Sequence, residues 1–486
     1  MQGDFSRVTF DKDRRFSAVL AQQGRVQLDA DLNEQTAILM HYMRTLVTDL
    51  FGRTVYPTGP DGNRAGGFKV AFENGTFSVT RGNMYVDGIL CECGEVTDYQ
   101  GQPDGFLDPD QKPDFPKTMF LVYLRVWERL VTAAQDASLR EVALGLHGPD
   151  TSARTRVVWQ LDWIEADPSI FHLKAGRFLD EKLDEVFKPR GQLAAKVARP
   201  EEGAAPCDLP PESGFRGPEN QLYRVEIHQG GTAGTATFKW SRENASVVLP
   251  IRSAAGATLE LESLGRDGRL GVEAGDIVEI VDDATVCRAA VDEILKTSTS
   301  LYRVVEADHT ARQVVLHEDP SQDRHQPGLG ADPALHPVLR RWDHRPEPAK
   351  PKKAQEKAED KPHVSRHTLL VEQGRWIDLE DGVQIHFGKD EEGAKPQKYR
   401  TGDHWLIPAR VVTGEVEWPK DAQGEWKQAE PRGVDYHYAP LGLVRGPAGA
   451  DKREVSDLRT PLRQPSPHDV GPGAPDQPDQ PDQPDQ

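Results

Sequence analysis

At 486 residues the chain exceeds the roughly 250–300 residues over which a single core grows, so two to four domains are expected. With 37% hydrophobic residues, about 46% once the 43 glycines are added, wholesale disorder is excluded, and a proline share of about 8% favours a loop-rich β protein over a helical bundle. The net charge of −19 argues against nucleic acid or anionic lipid as a partner.

The longest apolar run, residues 119–124, suits a buried strand and falls far short of a membrane span. The opening, Met1-Gln2-Gly3-Asp4-Phe5-Ser6-Arg7, has no basic and apolar leader, so a cytoplasmic protein without a signal peptide is expected. Four cysteines fit a reducing compartment, with Cys91 and Cys93 on one face of a strand and Cys207 and Cys287 isolated. No zinc spacing is present, and the thiols read as buried or idle.

Residues 1–165 read as an α+β unit. Asp31 followed by Glu34 is a capping-box pattern, which starts a helix over 31–51 that Gly52 ends. Leu32, Leu39, Met43, Leu46 and Leu50 recur at three, four or seven residues and share one stripe. This stripe is either local core or an assembly contact. Asp29-x-Asp31-x-Asn33 imitates the start of a calcium loop, but Glu34 and Met40 stand where that loop needs Gly and Glu. Alternation about Glu73-Asn74-Gly75 predicts a hairpin, and residues 84–91 a further strand. Residues 100–117 read as a loop, and 139–144 as a short helix or covered turn between strands at 119–129 and 154–162.

Residues 166–215 are helical in patches and then linker-like. Residues 216–344 show short strands with the rhythm of a small barrel or sandwich. Residues 345–366, rich in Lys, Glu and Pro, are expected to be a disordered loop. Strands at 368–371, 383–387, 404–407 and 441–444 within 367–447 form a small C-terminal β region or return to the second body. Residues 448–486, ending in four Pro-Asp-Gln copies, are expected to be a disordered tail. The fold class is therefore mainly β with an N-terminal helix, built from several small barrel or sandwich bodies.

No catalytic, cofactor or metal residue is assigned. Gly230-Gly231-Thr232-Ala233-Gly234 lacks the Lys-Ser/Thr ending of a phosphate loop and joins two strands, so it reads as a hairpin turn. His386, His404 and His437 near strand ends, with His41, His228 and His317 elsewhere, have no metal-motif spacing. Carboxylates such as Asp282-Asp283 and residues 378–381 are abundant without a pattern. Trp240, Trp342, Trp405 and Tyr438 suit either a sugar-stacking face or, more commonly, core packing.

Several long blocks carry a resemblance. They are residues 1–7; Gln22-Gln23-Gly24-Arg25-Val26-Gln27-Leu28-Asp29-Ala30-Asp31-Leu32-Asn33-Glu34-Gln35; Glu141-Val142-Ala143-Leu144; Gln221-Leu222-Tyr223-Arg224-Val225-Glu226-Ile227-His228; Phe238-Lys239-Trp240-Ser241-Arg242-Glu243-Asn244; and residues 399–410. With them the chain resembles, over nearly its whole length, an uncharacterised family encoded beside contractile injection systems, the phage-tail-like particles of bacteria. Residues 77–90 look like a strand pair near the attachment end of tail fibre and baseplate proteins. The resemblance implies a non-enzymatic structural or accessory component at the baseplate or a fibre. Its partners would be baseplate, spike, sheath or tube proteins, or further copies of itself. A glycan-reading tail protein, binding surface glycan through loop aromatics, is the alternative, and a carbohydrate- or peptidoglycan-cleaving component a third.

Overall fold

The computed structural model describes residues 1–58, 66–108, 113–145, 149–166, 172–198, 214–287, 298–323, 328–345, 367–389 and 396–462. Within these residues the chain is mainly β, with an N-terminal helix, several sheets and one closed barrel.

The apolar run at 119–124 lies in the strand Met119–Val131, flanked by Arg154–Glu165 and by His437–Arg445, with Glu454–Asp457 beyond the latter. Phe120, Val122, Leu124 and Val126 enter one core with Phe68, Phe77 and Trp159. Met119, Leu121 and Tyr123 enter another with Leu179 and Leu183 of the helix His172–Phe187. Alternate residues of a strand face opposite ways, so a sheet covered on both faces needs an unbroken apolar run.

The hairpin expected about Asn74-Gly75 forms, with Val70–Glu73 against Thr76–Val79 and positive φ at both turn residues. Residues 84–91 are not one strand. They belong to a second hairpin, Gly82–Val86 against Ile89–Cys93, which turns at Asp87 and Gly88 with φ 47° and 77°. Asp-Gly supplies the same turn chemistry, hidden in the sequence by apolar residues on either side.

A second body encloses a core of Tyr223, Val225, Phe238, Ile385, Phe387 and Trp405 between two sheets. The larger sheet contains Gln221–Gln229, Thr237–Ser241 and His404–Arg410, and the smaller Leu193–Val197 and Val383–Phe387. The third body is a six-stranded closed barrel running from Val248–Ala255 to Val338–Trp342, filled by side chains such as Leu259, Val278, Ile280, Val314 and Leu339.

Strand pairing crosses the segments expected from sequence. Residues 221–241 pair with 404–410 and not with the barrel, while the strand at 437–445 returns to residues 119–126. Strands at 369–370, 383–387 and 404–410 thus return to the second body, the other course left open by the sequence. Non-local pairing of this kind leaves no local composition signal. The expected loop at 345–366 falls, from 346 on, outside the described residues, as does the tail from 463 on. The beginning of that tail is ordered: Glu454–Asp457 and Pro461–Leu462 pair into the first body. Buried Arg459 holds it there, donating to the carbonyls of Gly66 and Gly67 at 2.7 and 2.6 Å.

Candidate functional site

Helix α1 spans Asp29–Phe51, two residues earlier than expected, and its N-cap Leu28 offers no side-chain bond. The expected Asp31–Glu34 capping box does not form, because the helix begins before Asp31 and the segment preceding it claims Glu34. Asp29 accepts from the Ser6 amide and hydroxyl at 2.9 and 2.6 Å, and Glu34 accepts from Thr9 Oγ1 at 2.5 Å. One face of α1 is tied to the body. Ala30 and Ile38 are buried, His41 packs on Phe10, and Arg44 reaches Glu128 at 2.7 Å. Gly88 lies so close that a Cβ there would stand 2.6 Å from the Arg44 Cα.

The opposite face carries the predicted stripe. Leu32, Leu39, Met43, Leu46 and Leu50 are 44–64% exposed, which excludes local core as their role among the described residues. Leu32, Leu39 and Leu46 repeat at seven residues, with Thr36, Met43 and Leu50 four residues after each. That is the 3.5-residue seam along which two helices pack knobs into holes. Exposed Tyr42 and Met40 widen it into a contiguous apolar strip.

The other residues singled out in sequence are separately occupied. His386 receives Gln428 Nε2, His437 meets Asp87 at 2.9 Å, and His404 is buried beside Arg224. Among the described residues no three His, Cys, Asp or Glu side chains gather as a metal ion requires. Asp282 caps a short helix by accepting from the Thr285 amide, and Asp283 binds Arg129 and His336. Glu380 clamps Arg242 through both oxygens, and Asp378 accepts from Gln384. Trp240, Trp342, Trp405 and Tyr438 are all buried, so they pack cores and offer no stacking face. The turn at residues 230–234 joins two strands as expected, held under Val371 and Tyr399 by backbone bonds. Cys91, Cys93 and Cys287 are buried free thiols, and burial pushes Cys91 up to about 12.

A second place carries chemistry that the sequence reading missed. Along Gln221–Gln229, Tyr223, Val225 and Ile227 enter the core, and Arg224, Glu226 and His228 occupy the other face, where Lys239 stands opposite Glu226. That face is covered by the outer side of the barrel, which contributes Glu279, Arg340 and Trp342. Lys239 Nζ lies 2.9 Å from Glu279, 3.4 Å from Glu226 and 4.2 Å from the centre of the Trp342 ring. Arg224 donates to Glu226 at 2.6 Å, and Trp342 Nε1 and Thr299 Oγ1 donate to Glu279.

Burial alone would raise the Glu226 carboxyl, but Arg224 and Lys239 outweigh it and hold it well below its ordinary range. Burial, helped by Lys239, lowers His228 to about 4, so its Nε2–H donates to the Thr299 carbonyl from a neutral ring. Burial raises nearby Asp403 to about 7. A cavity of about 250 Å³ opens beside this network, lined from all three bodies by residues that include Phe187, Lys239, Glu279, Arg340, Asp403 and Tyr436. The available signal was charge alternating with apolar residues on a strand, a pattern that equally describes a strand with one face in water.

The chain belongs to the DUF6519 family, a family of unknown function, whose model matches residues 1–184 and 185–455. No curated protein and no solved structure matches the chain. Among the described residues no helix is long and apolar enough to cross a membrane.

Proposed function

We propose that the protein is a non-enzymatic structural component of a phage-tail-like contractile injection particle, at the baseplate or a fibre, joined to its neighbours through α1. The observation that carries this reading is the exposed seam of Leu32, Leu39, Met43, Leu46 and Leu50 on a helix whose other face is anchored. A contiguous apolar strip in water favours association, at about 25 cal/mol for each Å² covered. The particle context comes from the sequence blocks, three of which have structural duties. Residues 1–7 reach Asn244 and Glu226, residues 22–35 open α1, and residues 221–228 form the charged strand. Glycan reading has less support, because the four aromatics considered for it are buried.

Co-purification tests the reading. Tagged protein is expected with sheath and tube proteins in particles from lysed cells, and Leu39→Asp with Met43→Asp is expected to abolish that association while leaving the melting temperature unchanged. Absence of the unaltered protein from purified particles would overturn the particle assignment. Full incorporation of the double variant would overturn the role of the seam.

A further inference from the structure

We propose that the cavity between the three bodies is a binding site for a small phosphate group, held by the Arg340 guanidinium. Arg340 lies on the outer side of the barrel strand Val338–Trp342 and is 8% exposed. It stands directly across the ladder from Glu279, yet its guanidinium makes no hydrogen bond or ion pair among the described residues, and its Nε is sealed from solvent without a partner. A buried guanidinium in that condition is disfavoured, and an anion beside it offsets the loss of water.

The protein's own carboxylates supply that offset only through space: Glu279 and Glu226 act on the Arg340 guanidinium without a direct bond to it. Both oxygens of Glu226 are engaged, one by Lys239 and the other by Arg224 and Gln2. Those of Glu279 are held by Lys239 and Trp342 on one side and Thr299 on the other. Asp403, raised to about 7 by burial, is partly protonated near neutral pH. Lys239, Arg340 and Arg400 line the cavity with Glu226, Glu279 and Asp403, and Thr401, whose hydroxyl accepts from the Gly230 amide, keeps its own hydrogen to give. A guanidinium presents a planar fork that matches phosphate oxygens, and the Thr401 hydroxyl is a further donor. The volume of about 250 Å³ admits a phosphate group.

Thermal melting of the full chain, titrated with sodium phosphate against sodium acetate and sodium chloride at matched ionic strength, tests this. A saturable rise with phosphate alone is expected, with affinity at least tenfold weaker in Arg340→Met. Arg340→Lys, which keeps the charge and loses the fork, should also weaken it and serves if the Met variant does not fold. An equal response to the three salts, or unchanged phosphate affinity in a folded Arg340 variant, overturns the proposal. A parallel titration with glycerol 3-phosphate separates the sources: tighter binding of the ester points to a phosphomonoester, and equal or weaker binding to free phosphate.

Discussion

Helix α1 keeps large apolar side chains in water, whereas the joint between the central sheet and the barrel keeps charges out of it. Both invert the usual distribution, but their energetic consequences differ. Apolar surface on the outside does not weaken the isolated chain, since nothing in the folded state depends on it. Charges on the inside are costly to desolvate, and Glu226, Glu279 and Lys239 are tolerable there only while their partners stay in place. The seam is therefore free to serve another molecule. The joint holds this chain's own bodies in register, and mutation should separate the two roles.

The largest effect is expected at the joint. Lys239→Met removes the cation shared by Glu226 and Glu279 and leaves two buried carboxylates without it, at a cost of about 3–5 kcal/mol in urea unfolding. Adding Glu279→Gln should recover much of that loss. A single-variant cost below about 1 kcal/mol would show that the network does not hold the bodies together.

How much of this was legible depends on distance along the chain. The Asn74-Gly75 hairpin, the doubly covered strand at 119–124 and α1 each carry their signal within a dozen or so residues. The stripe on α1 was legible as a stripe, but its exposure was not, because the same spacing serves a core or a partner. Arg224, Glu226 and Lys239 were in plain view. What buries them is the outer side of a barrel about 40 to 115 residues further on, and no local pattern announces it. The pairing of residues 437–445 with 119–126 was hidden for the same reason.

The joint should also respond to pH. Burial lowers His228 and His344 to about 4 and holds His404 well below its ordinary 6.5. Between pH 6.5 and 4 the unfolded chain binds protons that the folded chain refuses, so their contribution to stability is lost as pH falls through that window. Asp403 acts in the opposite sense. With its folded value raised from 3.8 to about 7, its contribution is complete below 3.8 and is lost as pH rises through 7. Asp403→Asn should therefore remove the decline in urea midpoint that this carboxyl contributes between about pH 4 and 7, and make the loss from the histidines below pH 6.5 steeper. Superimposable profiles for variant and parent would refute the assignment.

A smaller effect is expected where α1 meets the body. Gly88 has φ 77°, and a Cβ there would press on the Arg44 backbone. Gly88→Ala should cost about 1–3 kcal/mol, expressed as faster hydrogen exchange in α1 with little change in the barrel. Uniform loosening of the whole molecule would mean that the helix is not a separately anchored element.

The smallest effect belongs to the seam, and adjacent positions on α1 sharpen the contrast. Ile38 is 6% exposed and Leu39 is 51% exposed. Ile38→Ser removes a buried side chain and puts a hydroxyl in its place, so a loss of about 2–5 kcal/mol is expected, near the range for truncating a buried aliphatic. Leu39→Ser, Leu46→Ser and Leu50→Ser alter surface that the monomer leaves in water, and each should stay within about 0.5 kcal/mol of the parent. The comparison must be made at protein concentrations low enough to keep the chain monomeric, because any partner on the seam adds its binding energy to apparent stability. A concentration-dependent melting temperature that disappears in the Leu39 and Leu46 variants would identify a second copy of the chain as that partner. A loss above about 2 kcal/mol at Leu39 in dilute monomer would place the stripe in the core after all.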